Sequence, residues 1–312
     1  MEKVVKRKNY RRRSRLLFYS IGLSLPILQF CIFYIYTNFN SFLLAFQNYE
    51  AKRGVLGYEI TFAGFANFKT ATLTIFENMH MLKNSFIMFL CSTLLGITLA
   101  LVFSFYMYKK KFASGFFRVL LFLPQLVSHV VFALLFTYIV NDLVPWVVEQ
   151  TSGKIVDGLF YNMSARFPTT LFFNLWIGFG VNVMLFSGAM SGINPSIIES
   201  AQLDGVNLVQ EFIYIAVPMI FPTLITFLVT GMAGIFTNQM NLYSLFGDHA
   251  AELSTLGYFI YVNTSHSDII PQEARYLSYS EISALGLLLT AIVFPITFGT
   301  RKLLEKYGPS VN

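Results

Sequence analysis

Three carboxylates in the second half of the chain interrupt an otherwise apolar sequence. Glu199, Asp204 and Glu211 lie within residues 193–218, and this segment contains no lysine or arginine. Carboxylates without basic neighbours are free to bind cations or hydrogen-bond donors on another chain. We therefore interpret residues 193–218 as a contact surface, held in place by the elements on either side.

The spacing within residues 193–218 predicts a short helix, a turn and a second helix. Pro195 suits the first turn of a helix, where its missing N–H is not needed. Glu199, near this predicted start, would face the positive end of the helix dipole. Gly205 suits the residue that follows a helix end, because that residue often has a positive φ. The second helix is predicted to run to Pro218 and back into a membrane.

The motifs of common enzymes and metal sites are missing from the sequence. The pair Gly153-Lys154 lacks the upstream glycine and the following Ser or Thr of a phosphate-binding loop. No nucleophile elbow occurs. Cys31 and Cys91 lie in apolar runs and have neither metal-site nor disulfide-framework spacing. The sequence therefore predicts no catalytic residue, no metal ligand and no ATP site in this chain.

A histidine in an apolar run supplies an alternative. His129 lies in an apolar run near residues 118–140, and Ser187 and Ser191 lie in the next one, near residues 168–192. A Ser–His pair there would suit an intramembrane enzyme or sensor. A hydrogen bond between two helices is the simpler interpretation of these side chains.

The composition is that of an integral membrane protein. Of 312 residues, 55% are hydrophobic and only 12% are charged, about half the charged share of a soluble domain. Spanning the hydrocarbon core takes roughly 20 helical residues, and six apolar runs are long enough. They lie near residues 16–36, 84–107, 118–140, 168–192, 212–236 and 282–303. We predict an all-α membrane protein with six transmembrane helices.

Basic residues predict the orientation of the spans. Eight of the 22 lysines and arginines lie before the first span, in the arm formed by residues 1–15. Such an arm more often anchors the cytoplasmic end of a span than binds nucleic acid. With the arm inside, the cytoplasmic segments hold fifteen basic residues and the outer segments hold seven. We predict cytoplasmic termini, one transmembrane domain over residues 16–312, and a cytoplasmic acidic segment.

Neutral polar side chains are scattered through the spans, and no Asp or Glu lies well inside one. They include Gln125, Asn174, Asn182 and, just beyond the fifth span, Asn238. Amides donate and accept hydrogen bonds with hydroxyl groups, and aromatic rings stack on the apolar face of a sugar. A path lined in this way suits a neutral polyhydroxylated solute, although each such residue alone is more often structural.

The acidic segment also resembles a known signature. It reads Glu199-Ser200-Ala201, three residues, Gly205, nine residues and then Ile215-x-Val217-Pro218. This is similar to the EAA motif of ABC importer permeases: E-A-A, three residues, G, nine residues and I-x-L-P. Ser200 and Val217 are the departures, and both are small changes.

Other stretches resemble the carbohydrate-uptake subfamily, in particular its maltose and multiple-sugar "F" type. They are Gly64-Phe-Ala-Asn67-Phe68 before the second span, Asn84-Ser85 at its entry, and Arg118 with Leu123-Pro124. With the six spans, the resemblance covers most of the chain and implies the type I ABC importer permease fold.

The resemblance implies a set of partners. In this family the EAA segment forms coupling helices in a cleft of an ATPase subunit, and that subunit holds ATP and Mg. The implied assembly has a second related permease, two ATPase subunits and an extracytoplasmic sugar-binding protein, all at the bacterial cytoplasmic membrane. This chain would contact membrane lipid and no nucleic acid. The residues expected to couple to the ATPase are Glu199, Ser200, Ala201, Asp204, Gly205, Ile215 and Pro218.

The resemblance also implies where a sugar binds. In the maltose relative, sugar contacts fall on the helices before and after the motif. Matching positions here are Asn174, Gly178 and Asn238, whereas Val181 and Gly231 stand where that relative has polar groups. With the other amides, the expected substrate path is Asn174, Gly178, Asn182, Asn238 and Gln125.

A rival solute stays open within the same family. The importer could carry glycerol phosphate, a polyamine or another non-sugar solute. A phosphate-bearing solute would need a buried Arg or Lys in the path, and the predicted spans contain none internally.

Overall fold

A computed structural model describes residues 17–51, 58–266 and 277–309. The chain divides into two compact units. One comprises the residues up to Leu73 together with Leu277–Leu288, and the other comprises Thr74–Tyr276 and the residues from Leu289 onward. The predicted basic arm, residues 1–15, lies outside the described residues.

The first unit contains a long apolar helix and a β-hairpin. Helix α1 spans Leu17–Leu44, and strands β1 (Gln47–Ala51) and β2 (Tyr58–Phe62) pair antiparallel, with Gln47 opposite Phe62. The hairpin is a correction to the all-α prediction. Aromatic and β-branched residues in Tyr-Glu-Ile-Thr-Phe favour a strand, but such a short segment next to long apolar runs gives a weak signal.

Asn67, in the stretch that resembles the carbohydrate subfamily, has a structural role in the first unit. Its side chain is only 4% exposed, and Nδ2 donates to the carbonyl oxygens of Ala45 (3.1 Å) and Gln47 (3.0 Å). Gly64 has a φ of +57°, so the chain turns there before helix α2, Ala66–Glu77, begins. The amide therefore fixes the end of α1 and the start of the hairpin.

The second unit is helical in its described part. Its elements are α3 (Met79–Tyr108), α4 (Ser114–Leu126), α5 (His129–Ser152), α6 (Met163–Ser191), α7 (Pro195–Leu203), α8 (Leu208–Met219), α9 (Phe221–Ala233), α10 (Leu242–Phe246) and α11 (Leu256–His266). Helix α12, Tyr279–Tyr307, begins in the first unit and ends in the second.

The apolar helices agree in part with the six predicted spans. Among the described residues, α1, α3, α5, α6 and α12 are long and apolar enough to cross a membrane. Helices α8 and α9 form a sixth crossing if they count as one span, but they are bent by 66° at Ile220. Pro222 lies at the start of α9 and cannot donate the hydrogen bond that would continue α8.

The predicted third span, 118–140, is wrong in its placement. Those residues straddle a break: α4 ends in a tight turn that contains Pro124, Val127 is extended, and α5 begins only at His129. Helix α5 then continues to Ser152, well beyond the predicted end. Proline removes a backbone donor and disfavours the helical conformation before it, whereas apolar composition alone does not reveal the break.

The core of the second unit lies between α3 and α6. It includes Ala100 and Met107 from α3 and Phe186 and Met190 from α6. The Ser104 hydroxyl donates to the carbonyl oxygen of Val183 at 2.9 Å, so the two helices are also joined by a buried hydrogen bond. Ile198 of α7 and Ala216 of α8 belong to the same apolar cluster. The acidic segment is therefore packed onto the α3–α6 core.

Helix α4 approaches α6 closely at one glycine. Gly180 is buried, and a Cβ atom added there would lie 1.9 Å from the carbonyl oxygen of Leu121. Real Cβ atoms do not approach a backbone oxygen so closely, so only glycine allows this contact.

Candidate functional site

A cavity of about 280 Å³ lies between α3, α6, α9 and the segment that follows α9. Its walls are made of amides, hydroxyl groups, aromatic rings and small residues, and none of its lining side chains is charged. The lining residues are Ser85, Phe89, Ser92, Thr93, Gly96, Ile97, Asn174, Leu175, Gly178, Phe179, Asn182, Phe227, Gly231, Gly234, Ile235, Asn238, Met240 and Asn241.

The structure brings four of the five predicted path residues together. Asn174, Gly178, Asn182 and Asn238 all line the cavity. Gln125 does not, because its amide nitrogen donates to the backbone carbonyl of Ile177. The predicted grouping is correct for Asn174, Gly178 and Asn182 because they lie on consecutive turns of α6, and for Asn238 because it follows α9. It is wrong for Gln125, which lies at the helix break inside the predicted third span.

Asn174 is part of the cavity wall, but its amide is already occupied. Its Nδ2 donates to the carbonyl oxygens of Thr170 and Met240, each at 2.9 Å, and its Oδ1 accepts from Nδ2 of Asn241, also at 2.9 Å. Met240 and Asn241 have φ values of +53° and +54°, a conformation that costs free energy in residues with a Cβ. Asn174 thus holds a strained turn at the cavity rim.

Asn182 has the free amide of the cavity. Its side chain makes no hydrogen bond within the part of the chain that the structure describes, and Gly178, one turn away, leaves the space beside it open. Asn238 is intermediate, because its Oδ1 accepts from the backbone N–H of Met240 at 2.8 Å. Of the predicted path residues, Asn182 is therefore the one whose amide donor and acceptor both lack a partner in the described ranges.

Asn241 and the hydroxyl-bearing residues of α3 were not predicted from the sequence as part of the path. Ser85, Ser92 and Thr93 face the cavity, but serine and threonine inside apolar helices usually bond to their own backbone. Asn241 lies outside every predicted span. Its contact with Asn174 depends on the left-handed turn at Met240-Asn241, and no local sequence pattern predicts that turn.

The segment after α10 is fastened to the starts of α3 and α6. At α6, Arg166 donates to Glu252 Oε1 at 2.9 Å, and its guanidinium lies 4.6 Å from the ring centroid of Phe246. At α3, Nδ2 of Asn84 donates to the Glu252 carbonyl oxygen at 2.6 Å, and the Ser85 hydroxyl accepts from a backbone N–H at 2.9 Å. The Asn84-Ser85 pair therefore holds this segment at one end of the unit.

The acidic segment has the predicted helix–turn–helix conformation. Pro195 is the first residue of α7, after an Asn194 cap. Gly205 has a φ of +80°. Its N–H donates to the Gln202 carbonyl at 3.1 Å, while the Val206 N–H donates to that of Ala201 at 3.0 Å. These two bonds define a Schellman helix end with glycine at its left-handed position, which confirms the role predicted for Gly205.

Most of the residues matched to the EAA motif lie on an accessible face. Glu199, Ser200, Asp204 and Gly205 are exposed, and Ile215 and Pro218 are partly buried. Two details differ from the sequence interpretation. Glu199 is the fifth residue of α7, outside its first turn, so it does not face the positive helix end. Ala201 is only 9% exposed, so its small side chain packs inside this chain and not against a partner.

Glu211 has a partner within the chain. Its carboxylate is buried and lies 2.6 Å from Nζ of Lys109, at the end of α3. Among the described residues, this ion pair is the contact that Oε1 makes, and no hydrogen-bond donor reaches it. The absence of basic residues from 193–218 therefore did not leave this acid free, because its partner comes from a distant segment.

The alternative based on His129 finds no geometric support. Ser187 donates to the Met184 carbonyl and Ser191 to the Ser187 carbonyl, and neither bonds to the histidine. Across the described ranges, no group of three His, Cys, Asp or Glu residues is placed to hold a metal ion.

Comparison with known proteins identifies the family. Residues 92–306 match the family model described as "binding-protein-dependent transport system inner membrane component". The chain belongs to this family. Its members are membrane components of transport systems and not enzymes, so the chain is a multi-pass protein of the cytoplasmic membrane.

Individual relatives are similar over most of the chain. The arabinooligosaccharides transport system permease protein AraP of Halalkalibacterium halodurans is 24% identical over 285 residues, covering 87% of this chain and 82% of that protein. The multiple sugar-binding transport system permease protein MsmF of Streptococcus mutans is 22% identical, covering 91% and 94%.

A solved structure has the same fold. It is a chain of the bacterial alginate ABC transporter, crystallised in complex with an alginate pentasaccharide-bound periplasmic protein. It superposes with a TM-score of 0.73 at 18% identity, covering 95% of this chain and 96% of that one. The type I ABC importer permease fold implied by the sequence is therefore confirmed at the level of the fold.

Proposed function

We propose that this chain is a permease subunit of an ATP-driven importer that carries a neutral carbohydrate, an oligosaccharide, across the cytoplasmic membrane. The observation that carries the proposal is the cavity between α3, α6 and α9. Its lining offers amides and hydroxyls for hydrogen bonds, and Phe89, Phe179 and Phe227 for stacking. Neutral polar groups beside aromatic faces suit a sugar ring.

The same lining argues against charged solutes. Glycerol phosphate would call for an Arg or Lys, and a polyamine for Asp or Glu, because a charge taken out of water needs a partner. None of the lining residues is charged. The relatives AraP and MsmF, whose names specify arabino-oligosaccharides and multiple sugars, support the carbohydrate class and leave the individual sugar open.

We further propose the assembly and its orientation. The chain pairs with a second, homologous permease, two ATPase subunits bind below, and an extracytoplasmic binding protein delivers the sugar. Both termini and residues 193–218 lie in the cytoplasm. The exposed face of Glu199, Ser200, Asp204 and Gly205 contacts one ATPase subunit, and ATP and Mg bind to that subunit and not to this chain.

The test is isolation and reconstitution of the complex. A tagged chain is purified from its host membrane and its co-purifying proteins are identified. Uptake into ATP-loaded proteoliposomes is then measured with a panel of radiolabelled probes, in the presence of the host's extracytoplasmic binding proteins. The panel holds arabinotriose, maltotriose, lactose, glycerol 3-phosphate and spermidine. We expect a second permease and an ATPase in stoichiometric amounts, and uptake of a sugar only. A protein that is active alone, or uptake of a charged probe alone, contradicts the proposal.

Two substitutions test the coupling face in the same system. Glu199→Lys reverses an exposed charge, and Gly205→Val forces a β-branched side chain into a φ of +80°. We expect each to lower uptake and uptake-linked ATP hydrolysis at least tenfold while the protein still inserts. Gly153→Val is the matched control, since Gly153 also has a positive φ and open surroundings but lies between α5 and α6. Normal uptake in both variants would refute the coupling assignment.

A further inference from the structure

The buried acid of the coupling segment is joined to the helix that forms one wall of the cavity. Glu211 is 3% exposed and the side chain of Lys109 is 15% exposed, and their charged atoms are 2.6 Å apart. The other acids of the segment, Glu199 and Asp204, are exposed. An ion pair this deeply buried behaves differently from a surface pair, because loss of one partner leaves an uncompensated charge.

The two helix ends that meet here have opposite polarity. Lys109 caps the C-terminal end of α3, where the helix dipole favours a cation, and Glu211 lies in the first turn of α8, where it favours an anion. Each charge therefore suits its own helix end as well as its partner. The pair is consequently strongest when α3 and α8 keep this arrangement.

Aromatic side chains surround the pair. Nζ of Lys109 lies 5.8 Å from the ring centroid of Phe105 and 5.7 Å from that of Tyr108. The Phe105 ring lies 5.1 Å from that of Phe212, the residue after Glu211. These rings cover part of the lysine side chain and add cation–π attraction, so α3 and α8 are joined by both charge and packing.

Helix α3 connects this junction to the cavity. Besides Lys109 at its end, α3 carries the cavity residues Ser85, Phe89, Ser92, Thr93 and Gly96. A displacement of α8 that is transmitted through the pair therefore reaches one whole wall of the solute cavity. The apolar contacts of Ala216 with the same core support the connection but allow sliding, whereas an ion pair fixes a register.

We propose that Lys109 and Glu211 are positioning residues that couple movement of the 193–218 segment to α3 and so to the cavity wall. This inference rests on the proposed function, in which that segment receives the movement of an ATPase subunit. The pair acts through α3, and neither residue touches the solute.

The experiment uses the assembled transporter in nanodiscs and needs no knowledge of the sugar. Ser92→Cys, in a background with Cys31 and Cys91 replaced by serine, places a thiol in the cavity wall. Its alkylation rate by N-ethylmaleimide is measured by mass spectrometry with and without ATP plus vanadate, beside the rate of ATP hydrolysis. We expect nucleotide to change the alkylation rate several-fold in the parent protein.

Variants of the pair should separate coupling from hydrolysis. Lys109→Met and Glu211→Gln are each expected to reduce the nucleotide effect on alkylation to less than twofold while ATP hydrolysis continues. The exchanged pair K109E/E211K should restore it in part, because the two charges remain opposite but each now meets the unfavourable end of its helix dipole. Arg301→Met is the control. The Arg301–Glu305 pair, 2.7 Å apart, is exposed, so its loss should leave the nucleotide effect on alkylation unchanged.

The outcomes distinguish this inference from the proposed function. If K109M and E211Q respond to nucleotide like the parent while G205V does not, the ion-pair proposal is wrong and the coupling segment stands. If G205V also responds like the parent, the coupling segment itself is wrong. Should the neutral variants fail to assemble, Glu211→Asp keeps the charge but withdraws the carboxylate; its nucleotide effect should shrink, and an undiminished effect overturns the proposal.

Discussion

Asparagine has two different roles around the cavity, although the sequence shows the same residue type. The Asn174 amide bonds to Met240 and Asn241 and so holds the turn at these residues, whereas Asn182 has no partner in the described part of the chain. Their position on one helix was predictable from the sequence, since they are eight residues apart on α6. Their different roles were not predictable, because the partners that distinguish Asn174, Met240 and Asn241, come from beyond α9.

Replacement of Asn182 should weaken solute binding directly. Asn182→Ala removes the free amide and, since a neutral hydrogen bond contributes about 0.5–1.5 kcal/mol, we expect a roughly two- to tenfold rise in the solute concentration for half-maximal uptake. The maximal rate and the amount of folded complex should stay unchanged. Gln125→Met serves as the control outside the cavity, and half-saturation in N182A equal to that of the parent would exclude Asn182 from the binding site.

The local conformation of residues 193–218 was predictable, but the partner of Glu211 was not. Pro195 and Gly205 act through their own backbone geometry, so their spacing alone predicts a helix start and a helix end. The ion pair of Glu211 depends on how α8 packs against the end of α3. A charge partner that is distant in sequence leaves no trace in the local pattern.

At the scale of the helices, apolar composition predicts which segments enter the membrane better than where they break. The predicted runs overlap the apolar helices of the structure, yet α4 and α5 were merged into one span and α8 and α9 were taken as straight. Both breaks occur near prolines, at Pro124 and Pro222. Prolines inside α6 and α12 cause no such break, so the residue type alone does not decide.

The contact between α4 and α6 should be intolerant of a single methyl group. In Gly180→Ala, the new Cβ would lie 1.9 Å from the Leu121 carbonyl oxygen, so the helices must separate. Overpacking of this kind costs about 1–3 kcal/mol or more, and we expect the Tm of the detergent-solubilised protein to fall by roughly 5 °C. The measurement is thermal unfolding followed by size-exclusion chromatography.

Gly188 provides the matched control on the same helix. A Cβ atom at Gly188 would meet nothing within 4 Å, and alanine favours a helix over glycine by about 1 kcal/mol. Gly188→Ala should therefore unfold at the parent temperature or slightly above it. Equal Tm values for G180A and the parent would show that α4 does not pack against α6 in this way.

At the scale of the whole molecule, the transmembrane class and the family fold were predictable from the sequence. Long apolar runs, few charges and the spaced EAA-like motif are all properties of the linear chain. The β-hairpin and the cavity were not predictable, because each depends on residues that are far apart, such as Asn67 with Ala45 or Asn174 with Asn241.

The orientation of the chain stays a prediction and can be tested with reporters. Basic residues are enriched in the segments assigned to the cytoplasm, so a green fluorescent protein fused after Gly308 should fluoresce. Alkaline phosphatase at the same place should be inactive, because its disulfides form only outside the cytoplasm. Insertion of the two reporters after Gly153 should give the opposite pair of results. The reverse pattern at Gly308 would refute the predicted topology.

The uncharged lining of the cavity has a consequence for the medium in which the transporter works. Dissolved salt screens interactions between charges, but it leaves hydrogen bonds from Asn182 and stacking on Phe179 nearly unchanged. The affinity of the cavity itself should therefore be the same in a dilute and in a saline environment. Any dependence of uptake on ionic strength must then arise at the surfaces where this chain meets other proteins.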